Sequence, residues 1–199
     1  MLLASPTMPA CFGESCRNLE DAEAPTDEVT ITLRNDTDEV LFVDAGEGCS
    51  AATFTLTRGG EIKPWRRPTC GFSCEGVMDG DCSCSEECGT GSLLRLEPGA
   101  SRTTRWGLTI YVDENISLDC PADGCPTKCS RLEAAIDGTY SVSAAAGSEC
   151  DDTTGECECE ADDDACVLEA RLLGEPSMTA RASVVLPEDL GETIVLAFQ

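Results

Sequence analysis

The chain has 199 residues, 15 cysteines, no histidine and a formal net charge of −25, from 38 acidic against 13 basic residues. That acidity excludes the clustered Lys and Arg that a phosphate backbone requires, and an anionic bilayer surface would repel it, so neither nucleic acid nor direct membrane binding is expected. The missing imidazoles remove Ser-His-Asp and Cys-His chemistry together with the commonest metal ligand. Apolar residues make up 41% of the chain, and about a third once the cysteines are set aside, with aromatics at 5%. A core this thin gains from cross-links, each worth about 2–4 kcal/mol. Cysteine usage on this scale belongs to an oxidising compartment. Eleven of the basic residues are Arg and two are Lys, the bias of a GC-rich bacterial genome.

At the start, Met1 to Ala10 is apolar but short of the roughly 18–20 residues that span a bilayer. Cys11 follows Ala10, as in the last residues of a bacterial lipoprotein signal, where a small residue precedes the lipid-accepting cysteine. Met8 and Pro9 fit that pattern poorly, and no basic region precedes them. Parity favours a lipid on Cys11: fifteen is odd, and fourteen cysteines make seven pairs. Residues 12–28, acidic and with Pro25, read as a tether, so that 1–28 is signal remnant plus tether and 29–199 is one domain.

From Val29 the pattern changes to strands. Glu28 to Leu33 alternates with period two, Asn35-Asp36-Thr37-Asp38 is a turn cluster, and Val40 to Val43 follows, which together read as a hairpin. Thr53 to Thr57 is a third strand, closed by Gly59-Gly60. Leu93 to Leu96, Ser101 to Trp106 after the Pro98-Gly99 turn, and Leu108 to Val112 come next. Gly138 to Ser143, Val167 to Leu172, Ala180 to Leu186 and Thr193 to Phe198 complete the series. Nine or ten short strands with Gly and Pro turns, and almost no helical periodicity, predict an all-β sandwich or barrel.

Most cysteines lie between these strands. Insertion 68–92 carries Cys70, Cys74, Cys82, Cys84 and Cys88; insertion 113–131 carries Cys120, Cys125 and Cys129; insertion 147–166 carries Cys150, Cys157, Cys159 and Cys166. Cys16 and Cys49 stand apart. Three long loops without regular structure are unusual in a compact domain, and disulfides among these fourteen cysteines are the physical answer. Sets of five and three are odd, so each exports at least one bond. Cys82 and Cys84 are too close to bond each other comfortably, as are Cys157 and Cys159, so each seeks a partner elsewhere. The spacing does not determine the connectivity.

The segment 29–112 resembles the BsuPI-type intracellular proteinase inhibitor domain. The resembling pieces are the strand ending in Asn35-Asp36-Thr37, the run Phe54-Thr55-Leu56-Thr57-Arg58-Gly59-Gly60-Glu61-Ile62 leading to Trp65, and Leu96-Glu97-Pro98-Gly99 followed by Arg102 to Trp106. It covers under half of the chain. The resemblance implies an immunoglobulin-like antiparallel β-sandwich carrying three disulfide-rich loops; inhibitor activity does not follow from fold alone. The cysteine-rich insertions depart from a cytosolic domain, and the whole is similar to cysteine-rich lipoproteins of myxobacteria-like organisms.

The sequence offers little catalytic chemistry. Gly71-Phe72-Ser73-Cys74-Glu75-Gly76 misses the Gly-x-Ser-x-Gly elbow by one residue, and no phosphate-cradling glycine motif occurs. Thiolate metal binding competes with disulfides at Cys82-Ser83-Cys84 and Cys157-Glu158-Cys159, though the sets are not matched as zinc sites are. Asp151, Asp152, Asp162, Asp163 and Asp164 supply hard oxygens for calcium, but without a recognisable loop they read as a solvated acidic segment. Trp65-Arg66-Arg67 is the partner-binding candidate, because Trp and Arg dominate interface hot spots; the competing reading packs Trp65 over a sheet edge and pairs the arginines with carboxylates. Trp106 and Tyr140 fall in strand patterns and are expected in the core. Asn35-Asp36-Thr37 and Asn115-Ile116-Ser117 match the glycosylation sequon and are expected to be chance. The resulting expectation is a non-enzymatic, cofactor-free, extracytoplasmic binding or structural protein of the cell envelope with a protein or glycan partner. A secreted proteinase inhibitor and a thiolate metal-binding protein are the alternatives.

Overall fold

The computed structural model describes residues 19–46, 52–67, 71–83, 91–151, 153, 157–160 and 163–199. Cys11, Cys16, Cys49, Cys70, Cys84 and Cys88 lie outside the described residues. In chain order the elements are β1 (Val29–Asn35), β2 (Leu41–Asp44), β3 (Thr55–Arg58), β4 (Glu61–Lys63), α1 (Cys74–Asp79), β5 (Leu93–Leu96), β6 (Ser101–Trp106) and β7 (Thr109–Asn115). They continue with β8 (Lys128–Ala134), β9 (Gly138–Gly147), β10 (Cys150–Asp151), β11 (Ala165–Leu168), β12 (Arg171–Leu172), β13 (Met178–Leu186) and β14 (Thr193–Phe198). Among the described residues the protein is all-β apart from the short helix α1.

Two principal sheets enclose the main core. The smaller has the order β14-β1-β6. The larger runs β11-β5-β2-β9-β3-β4, with β13 on the other side of β9. The ten-residue strand β9 is its spine: β13 pairs along one edge from Gly138 to Ala146, while β3 and then β2 share the other edge end to end. Alternation explains β1, whose Val29, Ile31 and Leu33 are fully buried while Thr30 and Thr32 are not. These side chains meet Leu56, Val142, Leu196 and Phe198 in one cluster that draws on both sheets. Trp106 and Tyr140 lie in it as expected, edge to face at 5.1 Å. One pair departs from the antiparallel expectation: β1 and β14 run parallel, in register from Thr30↔Thr193 to Asn35↔Phe198.

The first expected hairpin is absent. β1 pairs with β14 and β6, whereas β2 pairs with β5 and β9 in the other sheet. Asn35 makes the crossing. It is fully buried; its Nδ2 donates to the carbonyls of Glu39 (2.8 Å) and Leu96 (3.0 Å), and its Oδ1 accepts from the Thr37 amide (3.0 Å) and hydroxyl (2.7 Å). The side chain therefore ties the turn to β5 rather than returning the chain alongside β1, and its burial leaves no room for a glycan. The Gly59-Gly60 turn does form a hairpin. Arg58 pairs with Glu61, and both glycines take positive φ (61° and 86°), as a two-residue type I′ loop requires.

The three insertions are more ordered than expected. The first contains α1. The second begins and ends in a ribbon, since β7 extends to Asn115 and β8 begins at Lys128. The third contains β10 and the start of β11, and the strand expected over Val167–Leu172 is broken into β11 and β12. Residues 19–28, expected to belong to a tether, include a docked stretch: Leu19 is buried, the Ala22 amide donates to the Leu132 carbonyl (2.8 Å), and Asp21 Oδ1 accepts from the Leu132 amide (2.7 Å).

Four disulfides join described cysteines. Cys74–Cys129 and Cys82–Cys125 tie the first insertion to the second; Cys150–Cys157 and Cys159–Cys166 close the third on itself. Cys120 is also disulfide-bonded. Cys82, Cys157 and Cys159 each bond outside the close pair in which they sit, in keeping with the ring-strain argument.

Candidate binding cleft

A well-formed concavity among the described residues is built on β7 and β8. Their register sets Asp113 opposite Ser130 and Asn115 opposite Lys128, so these four share one face of the ribbon. The strand hydrogen bonds do not hold the opposing wall. Instead the Ser130 amide donates to the Phe72 carbonyl (2.8 Å), which draws the chain into α1 across β8. α1 is too short to be stable alone. Ser73 caps it, its Oγ accepting from the Gly76 amide (3.0 Å), and Gly80 ends it in the left-handed conformation (φ 85°). Cys74–Cys129 then fastens its first residue to β8, with Cα atoms 4.8 Å apart, and Cys82–Cys125 fastens the segment beyond it. Leu19, Val77 and the buried Cys74 and Cys129 pack beneath as a small second core.

The resulting cleft measures about 450 Å³, with Phe72, Asp113, Asn115, Lys128 and Ser130 among its lining residues. Glu114 also lines it, but its charge is engaged: Arg131 Nε donates to Glu114 Oε1 (2.9 Å), and Arg131 Nη2 bonds Glu133. The Arg131 guanidinium's pKa is raised above its ordinary value, chiefly by its hydrogen bond to Glu114 and with help from the charges of both carboxylates. Asp113 and Lys128 are exposed and form no ion pair among the described residues. The cleft thus presents one free anion, one free cation, an amide and a hydroxyl beside an aromatic ring. That set hydrogen-bonds and stacks, and the sulfur of Cys129 is held in a disulfide.

Of the residues singled out from the sequence, Asn115 and Cys129 line the cleft, and the partner-binding candidates lie elsewhere. Trp65 is stacked on Phe54, with ring centroids 4.2 Å apart, and its Nε1 donates to the Phe54 carbonyl (2.7 Å). Arg67 lies over Tyr111 (5.3 Å) and 3.6 Å from Asp21. Trp65 and Arg67 therefore have intrachain partners. Arg66, half-buried, reaches over Gly46: a Cβ there would lie 2.9 Å from its guanidinium. The other cleft residues were missed because hydrophobic alternation stops at Val112, and Lys-Cys-Ser-Arg-Leu-Glu-Ala carries no strand-like pattern. The available signal was the Cys125-x3-Cys129 pair, which marks the strand beside the cleft. All nine described cysteines are disulfide-bonded, and among the described residues no group of three or more Cys, Asp or Glu is arranged to hold a metal. Asp151 accepts from the Thr153 amide (3.1 Å) and hydroxyl (2.6 Å), a local turn. No described helix is long and apolar enough to cross a membrane.

No protein family, curated protein or solved structure matches this chain.

Proposed function

We propose that the chain is an extracytoplasmic, disulfide-stabilised binding protein of the cell envelope, built on an immunoglobulin-like sandwich and anchored through a lipid on Cys11. The observation that carries the binding reading is the cross-linking of the cleft. Two disulfides hold a wall that has almost no regular structure of its own against β8, beside Asp113 and Lys128, which have no ionic partner among the described residues. A pre-fixed wall lowers the ordering cost of association. The free Asp113, Lys128 and Asn115 beside Phe72 suit a polyhydroxylated ligand, so the favoured partner is an envelope glycan. The alternative of a thiolate metal protein needs free thiolates, and all nine described cysteines are disulfide-bonded. The test is retention of the oxidised protein on immobilised cell-wall glycans. Binding should be saturable and should fall sharply in D113A and K128A. Equal retention of the double variant would refute the assignment.

A further inference from the structure

We propose that the free edge of β6 docks an extended, acidic peptide segment of a partner protein, added as a fourth strand to the sheet β14-β1-β6. This surface is separate from the cleft on β7 and β8.

The larger sheet is wider than the smaller one. Its end strand β11 pairs with β5, setting Val167 beside Leu94 and Ala165 beside Leu96 on the core-facing side. Yet Val167 is 39% exposed. The described residues leave it partly uncovered, because the smaller sheet stops at β6. Between them lies a groove of about 140 Å³, with Leu94, Arg102, Thr103, Thr104 and Val167 among its walls. β6 itself pairs only with β1 among the described strands, and Ser101, Arg102, Thr103 and Arg105 are exposed. An open edge beside a partly uncovered core-facing valine is the geometry into which a peptide strand adds.

The charge selects the occupant. Arg102 is paired opposite Leu33, so its side chain is on the core-facing side, at the groove. Among the described residues it forms no ion pair and no carboxylate lines the groove, in a chain with 38 acidic residues. Arg105, on the outer side, lies 3.2 Å from Glu28. A second copy is disfavoured. Antiparallel self-pairing over the whole strand sets Arg102 directly opposite Arg105 of the other copy, and a one-residue slip either way leaves two arginines diagonal to each other; like charges so placed are destabilising. An acidic strand meets the opposite situation: its backbone completes the ladder, one side chain meets Arg102, and an apolar side chain two residues along, on the same face, covers Val167.

The test uses the oxidised full chain and two capped octapeptides, Thr-Glu-Thr-Val-Thr-Glu-Thr-Val and its counterpart with Lys for Glu, which set Glu (or Lys) and Val on one face, with amide exchange read along β6. The Glu-Val peptide should bind, slow exchange in Ser101–Trp106, and lose affinity with added salt. R102E, at an exposed position, should weaken that binding about tenfold or more and transfer preference to the Lys-Val peptide. The idea is overturned if neither peptide protects β6, if R102E binds the Glu-Val peptide as well as the parent does, or if β6 becomes protected by raising protein concentration alone. Glycan retention by the cleft should be unchanged in R102E, so failure here and failure of the glycan reading are distinguishable.

Discussion

The central sandwich and the cysteine-bound periphery are held by different forces. The main core gathers 22 buried residues from both sheets and contains no cysteine. None of the four disulfides between described cysteines joins one principal sheet to the other. The two smaller clusters are sparse by comparison, with four buried residues each, and each has cysteines in or against it. Charge divides the same way. Ten of the 13 basic residues, but only six of the 38 acidic ones, lie in described strands, so the acidity belongs mainly to the connections. Burial alone sustains a sheet whose alternation supplies enough apolar surface, and sulfur is needed where it does not.

The largest effect should come from the sandwich. Trp106 is almost fully buried, contacts Tyr140, and donates from Nε1 to the Thr109 carbonyl (2.9 Å). Trp106→Ala should cost about 3–5 kcal/mol of global stability, read as a fall in denaturation midpoint. Asn35→Ala should come next. It leaves buried groups of the corner unpaired, at about 1–3 kcal/mol each, and the loss should exceed that of Thr37→Ala in the same assay.

A smaller global effect is expected when the Cys74–Cys129 pair is replaced by serine. Amide exchange should quicken across Phe72–Asp79 and Lys128–Ser130, while β1 and β9 hold their protection. Equal quickening in β9 would show that the periphery supports the core.

The smallest effect concerns Asp44, on the face of β2 opposite the main core. Burial pushes its carboxyl above the ordinary value of 3.8. The folded chain therefore holds this proton more tightly than the unfolded chain. Above the folded pKa the buried charge costs stability, and that cost is relieved as pH falls through the folded value towards 3.8. Asp44→Asn should raise the denaturation midpoint slightly at neutral pH and leave it unchanged in acid below the ordinary carboxyl range. A gain of the same size at both pH values would point to another cause.

These contrasts also explain what the sequence revealed. β1, β9, β13 and β14 were legible because alternating burial writes itself into alternating residues, as in Val29-Thr30-Ile31-Thr32-Leu33. The partition of strands between sheets was not. Asn35 looked like an ordinary turn residue, and its bond to the Leu96 carbonyl spans 61 positions of sequence. α1 has six residues, too few for a helical period, and depends on Ser73, Gly80 and a disulfide. β8 has no apolar alternation because its order comes from β7 and Cys129. The cleft followed from those two and was illegible with them. The importance of Arg102 depends on a groove between strands some 65 residues apart, which pattern along the chain does not encode.

The most direct measurement is amide exchange on the native protein before and after complete reduction and alkylation. Protection should persist through β1, β9 and β13 and collapse in α1, at Lys128–Ser130 and around Cys150 and Cys166. Loss of protection in β1 and β9 together with the periphery would contradict a sandwich that stands on its own burial.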